Sequence, residues 1–206
     1  KVPYRQETLR QFEQIFRPGM WYFKYDLTAA YMSMRVQSWL SELFGGQFDG
    51  EYYESQTSPF GWVHSARFFN KLMRIVVESL RREGITGIIY LDDGLFAATS
   101  FFECVLLRDR IMTLFEKLGF RANEKTECLP AIRVVFLGML AHTAAKTPTW
   151  HVPAEKLQRY KDGAMDLHSE RGRWSRVKLF KLVGQLVSTD MAMPMPRLFS
   201  RELVRV

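Results

Sequence analysis

The chain has 206 residues, 47% of them apolar, and carries 29 basic against 22 acidic side chains, a net charge of +7 with an isoelectric point near 9.5. That length allows one domain, or one domain with a small appendage, and the composition is globular rather than disordered or fibrous. Cys104 and Cys128 argue against a disulfide scaffold and lack metal-ligand spacing, no apolar run is long enough to cross a bilayer, and the basic balance suits a polyanionic partner.

The chain starts at Lys1 without Met or a signal-peptide pattern, as a piece of a longer protein would, and an intracellular location in cytoplasm or nucleus is expected. Leu9, Phe12, Ile15 and Phe16 fall at helical spacing, and Arg17-Pro18-Gly19 ends that pattern. Next, Trp21, Phe23 and Tyr25 alternate with Tyr22, Lys24 and Asp26, the period of a strand that closes on a carboxylate. Asp26 has a plain alternative there, as the N-cap of a following helix. Asp49-Gly50, flanked by Phe48 and Tyr52, predicts a hairpin over 43–57. After the loop Thr57-Ser58-Pro59-Phe60-Gly61, a helix is predicted from about His64 to Glu83. Phe69, Leu72, Met73, Val76 and Leu80 make its apolar face, and Gly84 stops it.

Ile88 to Ala98 is two apolar runs around Asp92-Asp93-Gly94, predicted as a second hairpin over 86–99 that turns at Asp93-Gly94. Turn chemistry alone accounts for Asp93 and Gly94. It does not account for Asp92, at the end of a strand apolar enough to be buried on both faces; a carboxylate there needs a partner or a metal. A helix is predicted from Thr99 or Ser100 to Gly119, a polar loop from Phe120 to Pro130, one strand from about Ile132 to Ala141, and a return strand near Pro148 to Val152. Helices are predicted from Pro153, from Ser175 to Thr189 and from near Arg197, with a charged break at His168 to Trp174. A boundary near residue 152 thus separates an α+β part from an all-α part.

Antiparallel pairing of the first strand with the second hairpin brings Asp26 beside Asp92. Three carboxylates in one small pocket repel each other unless cations neutralise them. Hard oxygen ligands with open positions suit Mg²⁺ or Mn²⁺. Two such ions about 3.5–4 Å apart are a general device for in-line attack at phosphorus.

These residues resemble the palm of a reverse transcriptase. Tyr90-Leu91-Asp92-Asp93 is similar to the family's Tyr-x-Asp-Asp motif, and Asp26-Leu27-Thr28-Ala29-Ala30-Tyr31 to its first catalytic motif. Ser58-Pro59-Phe60-Gly61, followed by Ser65-Ala66 and a helix, resembles the motif that contacts template and incoming nucleotide. Leu118-Gly119-Phe120 through Asn123-Glu124-Lys125-Thr126 resembles the fourth motif, and Phe136-Leu137-Gly138-Met139 the primer-grip strand. The motifs stand in family order. Glu7-Thr8-Leu9, Arg17-Pro18-Gly19 and the region from Leu157 to Arg201 look most like DIRS-like tyrosine-recombinase retroelements.

The resemblance implies an α+β palm over residues 1–152, an antiparallel sheet backed by helices, and a small all-α thumb over 153–206. It implies an RNA-directed DNA polymerase in which Asp26 and Asp92 ligate two Mg²⁺ ions (Mn²⁺ in their place), with Asp93 in support. Tyr31 would be the steric gate against a 2′-hydroxyl, Phe60 and Gly61 would line the nucleotide pocket, and Lys125 would meet the pyrophosphate. Phe136, Leu137, Gly138 and Met139 would hold the primer. Implied partners are an RNA or DNA template with primer, deoxynucleoside triphosphates, and the fingers and RNase H of a longer polyprotein, with no membrane. Trp62-Val63-His64 departs from the small or aliphatic run usual after Phe-Gly. Each residue also has a plain reading: Tyr31 a core aromatic, Pro59-Phe60-Gly61 a turn, Lys125 a solvated lysine, Gly138 a close approach within a buried strand. Two further readings stay open: a catalytically inactive scaffold of the same descent that binds nucleic acid or protein, and an RNA-templated RNA polymerase, against which Tyr31 argues.

Lys156, Arg159, Lys161, Arg171, Arg173, Arg176, Lys178 and Lys181 make the helical part basic, and Trp174 is placed to stack on a base or pack a helix junction. Phosphate contacts of that kind predict affinity for nucleic acid that falls linearly on a log–log plot against salt, with little sequence preference, in a filter-binding titration. Sequence-selective, salt-insensitive binding would contradict it.

Overall fold

The computed structural model describes residues 6–12, 15–124, 126–169, 175–193, 196, 200 and 201, except for the side chains of Arg10 and Glu127. The chain divides into two compact units, Lys1–Phe16 with Met20–Ala131, and Arg17–Gly19 with Ile132–Val206. In the first unit the elements run α1 (Leu9–Phe12), β1 (Trp21–Asp26), a 3₁₀ turn (Ala30–Ser33), α2 (Ser38–Ser41), β2 (Gly45–Phe48), β3 (Glu51–Glu54), α3 (Ser65–Arg82), β4 (Thr86–Tyr90), β5 (Asp93–Ala98), α4 (Phe101–Lys117) and β6 (Glu127–Ala131). Four strands form an antiparallel sheet in the order β4-β5-β1-β6.

Both faces of β1 are covered, Phe23 and Tyr25 by the core and Tyr22 on the other face by Phe12, so its burial does not alternate: Tyr22, Phe23, Tyr25 and Asp26 are all buried. Phe23 and Tyr25 share one core cluster with Phe69, Met73, Val76, Val77 and Leu80 of α3 and with Ile111 and Phe115 of α4. Aromatic edges knit it, Tyr25 to Phe115 at 4.7 Å and Phe115 to Phe120 at 5.8 Å between ring centroids. Both helices close alike. Ile85 N–H donates to the Leu80 carbonyl and Gly84 N–H to Arg81; Phe120 N–H donates to Phe115 and Gly119 N–H to Glu116. This Schellman pattern satisfies the last carbonyls and turns Phe120 back into the core.

Three sequence expectations are corrected here. The segment read as a polar loop contains β6, which pairs with β1 through Lys24↔Glu127 and Tyr22↔Ala131; a pairing across a hundred residues leaves no local period to read. The second hairpin turns two residues earlier than Asp93-Gly94. Tyr90↔Asp93 is its last pair, so Leu91 and Asp92 make the turn, and Gly94 lies in β5 between Ile89 and Tyr25. Gly94 serves space instead. The Phe96 ring crosses Gly87 and Gly94, and a Cβ on Gly87 would stand 2.3 Å from Phe96 Cδ1 and 2.9 Å from the Leu95 carbonyl oxygen. Third, Phe136 to Met139 is not one strand, as the second unit shows below. The hairpin β2–β3 turns at Asp49-Gly50 as expected, with φ of 49° and 81°, and is exposed along its length.

β4 is an edge strand, and two of its outward groups are occupied by side chains. Ile89 N–H donates to Glu7 Oε2 at 3.1 Å, and Arg81 bonds both Glu7 and the Gly87 carbonyl.

The second unit holds β7 (Arg133–Phe136), β8 (Met139–His142), β9 (Thr149–His151), α5 (Ala154–Ser169) and α6 (Arg176–Val187). Phe136↔Met139 closes the β7–β8 hairpin, so the expected single strand is two strands joined at Leu137-Gly138, whose φ values of 47° and 73° give a type I′ shape. β9 pairs with β8 and matches the predicted return strand. Helices α5 and α6 bury Tyr160, Leu167, Leu179, Leu182 and Val183. The change of character read near residue 152 falls inside this unit. The break from Glu170 to Trp174 and the start of the last predicted helix, Arg197, lie outside the described residues.

Gly87→Ala should cost about 1–3 kcal/mol, the usual size of overpacking. Urea unfolding should show a lower midpoint at unchanged slope.

Candidate active site

The register of β1 on β5 sets Asp26 directly opposite Asp93. Residues paired across an antiparallel ladder share a face, so both carboxylates project on the side away from the helices, with Lys24 two residues back on that face. Asp26 is 7% exposed, Asp93 half-buried, and Asp92 exposed at the turn. Asp92 reaches Asp26 through the backbone: Leu27 N–H donates to the Asp92 carbonyl at 2.9 Å. The carboxylate facing Asp26 is therefore Asp93, where the sequence placed Asp92. The two-residue shift of the turn causes the exchange.

Burial pushes the Asp93 carboxyl up to about 6, and the charge of Asp26 pushes the same way; Lys24 opposes, and a hydrogen bond between the two carboxyl groups and the charge of Asp92 add to the rise. Asp26 is held on its other side by the segment after α4. Asn123 Nδ2 donates to Asp26 Oδ1, and Asn123 N–H donates to the Asp26 carbonyl at 2.9 Å. Thr126 Oγ1 accepts from Asp26 N–H and donates to the Asp26 carbonyl, both at 3.1 Å. Sequence reasoning took Lys125 from this segment and passed over Asn123 and Thr126; Lys125 lies outside the described residues. An Asn-x-x-Thr spacing reads as an ordinary turn, and nothing local ties it to a strand ninety-seven residues earlier.

Two backbone positions beside the carboxylates are left-handed without being glycine, Ala29 at φ 50° and Leu91 at φ 53°. Such residues cost about 1–2 kcal/mol each and collect at sites whose shape is fixed by the surroundings.

Tyr31 stands in the 3₁₀ turn after β1, half-buried, its ring 5.3 Å from Phe60 and 5.7 Å from Phe69. Phe60 is 63% exposed, and Gly61 is exposed at φ 86°. The loop before them is pinned to the start of α3: Ser58 Oγ bonds Ser65 Oγ at 2.8 Å, and Ser65 Oγ donates to the Pro59 carbonyl at 2.7 Å. Phe136 and Met139 are fully buried in the second unit, while Leu137 and Gly138 form the half-exposed turn, whose Gly138 carbonyl accepts from Lys156 Nζ at 3.0 Å. Of the basic residues of α6, Lys178 is engaged with Asp166 at 3.0 Å; Arg171, Arg173 and Trp174 lie outside the described residues.

Among the described residues no three His, Cys, Asp or Glu side chains are grouped closely enough to hold a metal ion. The donor set at the sheet end still fits one. Asp26 and Asp93 are hard oxygen donors forced together, and a divalent cation relieves their repulsion. No helix among the described residues is long and apolar enough to cross a membrane.

A family model described as reverse transcriptase (RNA-dependent DNA polymerase) matches residues 4–140. The chain is 25% identical over 146 residues to the Gag-Pol polyprotein of Gibbon ape leukemia virus, covering 66% of this chain and 8% of that polyprotein. The fold is similar to that of foamy viral protease-reverse transcriptase. The similarity has a TM-score of 0.74 to the complex with double-stranded DNA at 15% identity and 0.74 to the complex with RNA/DNA hybrid at 16%. Those structures match all of this chain, which spans 33% and 26% of theirs. The chain is thus a small part of the length of each relative, and its mixed architecture is that of their palm.

Asp93 gives a pH dependence with a defined sign. Its carboxyl keeps a proton up to about 6 when folded and loses it at 3.8 when unfolded, so its contribution to stability is present below about pH 4 and lost as pH rises through 6. With chelator present, Asp93→Asn should melt higher than the parent at pH 7, the gap closing by about pH 4 in a thermal-unfolding series.

Proposed function

Because the chain belongs to the reverse transcriptase (RNA-dependent DNA polymerase) family, we propose that it is the palm, and the start of the thumb, of a retroelement's RNA-directed DNA polymerase. In this reading residues 1–152 are palm and 153–206 thumb or connection, and deoxynucleotides are added to a primer 3′-hydroxyl under template direction. The observation that carries the reading is the cross-strand pair Asp26↔Asp93 with Asp92 at the adjoining turn. Rigid strand ends hold acidic groups in fixed geometry where a loop would not.

Asp26, Asp92 and Asp93 would hold two Mg²⁺ ions, with Mn²⁺ able to replace them. When bound, those ions would supply positive charge to the attacking hydroxyl and to the departing pyrophosphate. The protein's own groups do the rest. The Asp26 and Asp93 carboxylates, paired across the strands, are the groups that would hold those ions in place. Tyr31, wedged between Phe60 and Phe69, presents a rigid aromatic edge where a 2′-hydroxyl would lie. Gly61 leaves room beside it for a nucleotide, and Lys125 balances the leaving group. The Leu137-Gly138 turn, braced by Lys156, is the primer contact. Lys and Arg on α5 and α6 meet phosphates of template and primer.

Fingers and RNase H would belong to the same polyprotein, as the similarity to a Gag-Pol polyprotein supports. We place the element with the DIRS-like group on Glu7-Thr8-Leu9, Arg17-Pro18-Gly19 and the region from Leu157 to Arg201, and its action in cytoplasm or nucleus. One observation favours a second reading, an inactive scaffold of the same descent: among the described residues the acidic side chains form no group tight enough for a metal.

Primer extension by the longer polypeptide that contains this chain separates the two. Asp26→Asn should lower Mg²⁺-dependent extension by about a thousandfold, the scale of losing one key stabilising group. A parent protein with no extension at any Mg²⁺ or Mn²⁺ concentration would favour the scaffold. Tyr31→Ala should relax discrimination against ribonucleotides by about ten- to a hundredfold with little change for deoxynucleotides, measured as a ratio of kcat/KM values.

A further inference from the structure

We infer that Asn123 is a positioning residue for Asp26, fixing the direction in which that carboxylate meets a divalent cation. The inference rests on reading Asp26 as a metal ligand.

Asp26 faces a like group. Asp93 sits opposite it in register, and two carboxylates placed so tend to turn away from each other when no proton is shared between them. A rotated Asp26 would offer its oxygens to the wrong side. Asn123 opposes that rotation by donating from Nδ2 to Oδ1 of Asp26. The carboxylate accepts only, so the amide nitrogen is the atom that faces it. The donor is itself held. Asn123 N–H is bonded to the Asp26 carbonyl at 2.9 Å, and its own carbonyl accepts from Thr126 N–H at 3.0 Å. Thr126 Oγ1 then closes the arrangement on the Asp26 backbone from both sides. Backbone and side chain of Asp26 are therefore gripped by Asn123 and Thr126 together.

The chemistry of the donor matters as much as its place. A lysine or arginine there would neutralise Asp26 and compete with a metal for its charge. A carboxamide orients the carboxylate and leaves the charge unspent. Groups that orient a metal ligand in this way typically change affinity by about 10–100-fold when removed. A turn-forming role alone would make the side chain matter for folding and not for the metal.

The test is Mn²⁺ binding to the whole chain without nucleotide or nucleic acid, followed by the electron paramagnetic resonance of free Mn²⁺, with thermal melts alongside. Asn123→Ala should weaken Mn²⁺ binding about 10–100-fold while the melting temperature moves by a few degrees. Asn123→Ser keeps a turn-forming side chain that is too short to reach Asp26, and should show the same loss if the alanine variant folds poorly. In primer extension the Mg²⁺ concentration for half-maximal rate should rise with the KM for deoxynucleotide unchanged. Asp26→Asn is the control. If it weakens Mn²⁺ binding and both Asn123 variants bind like the parent, the inference falls and the metal reading stands. If Asp26→Asn changes nothing, or the parent binds no Mn²⁺, the metal reading falls and takes the inference with it. A loss confined to temperatures at which the variant is unfolded would also overturn it.

Discussion

Two carboxylates opposite each other on neighbouring strands repel, and the rest of the first unit is built to keep them there. The register of β5 on β1 decides the pairing, and the register of β4 on β5 is pinned where Phe96 lies across Gly87 and Gly94. No other residue at position 87 leaves room for that ring, so β4 cannot slide along β5 without driving an aromatic into backbone. Phe96 in turn stacks beside Phe23 and meets Phe115 edge-on, which ties the acidic end of the sheet to the core of the domain. Repulsion at the site is thus offset by packing on the opposite face.

The other face carries the electrostatic answer. Lys24 pulls against the rise of Asp93, and Asn123 secures Asp26. The turns add rigidity at a conformational cost: Ala29 and Leu91 take left-handed backbone on either side of the acids, and Leu137 does so in the second unit. Each is a short residue run forced by its surroundings rather than by its own preference. The acids are placed by backbone geometry first and by side-chain contacts second.

Much of this was readable from the chain. The strand ending at Asp26, the Asp49-Gly50 hairpin and the two long helices follow from period and punctuation, and they stand within a residue or two of where those signals put them. The misreadings have three separate causes. At Asp93-Gly94 a good turn signal was overruled by the bulk of Phe96, two residues on. At Leu137-Gly138 a leucine adopts a conformation that its side chain disfavours, so the turn is invisible in the letters. At β6 the partner is β1, far away in sequence. The same distance hid Asn123 and moved the pairing of Asp26 from Asp92 to Asp93. Local chemistry names the acidic residues; only the register of β1 on β5 says which two face each other.

The Glu7 carboxylate on the edge of β4 bears on the protein's behaviour in crowded solution. An open strand edge is a template on which another chain can add a strand, and long runs such as Ile88-Ile89-Tyr90-Leu91 are the kind that seed stacked β-aggregates. Glu7 occupies the Ile89 N–H, and Arg81 occupies the Gly87 carbonyl and neutralises Glu7. One ion pair thereby blocks the edge of the strand that leads to the acids. Its worth lies less in folding energy, since exposed pairs contribute little, than in keeping neighbouring copies from zipping together along it.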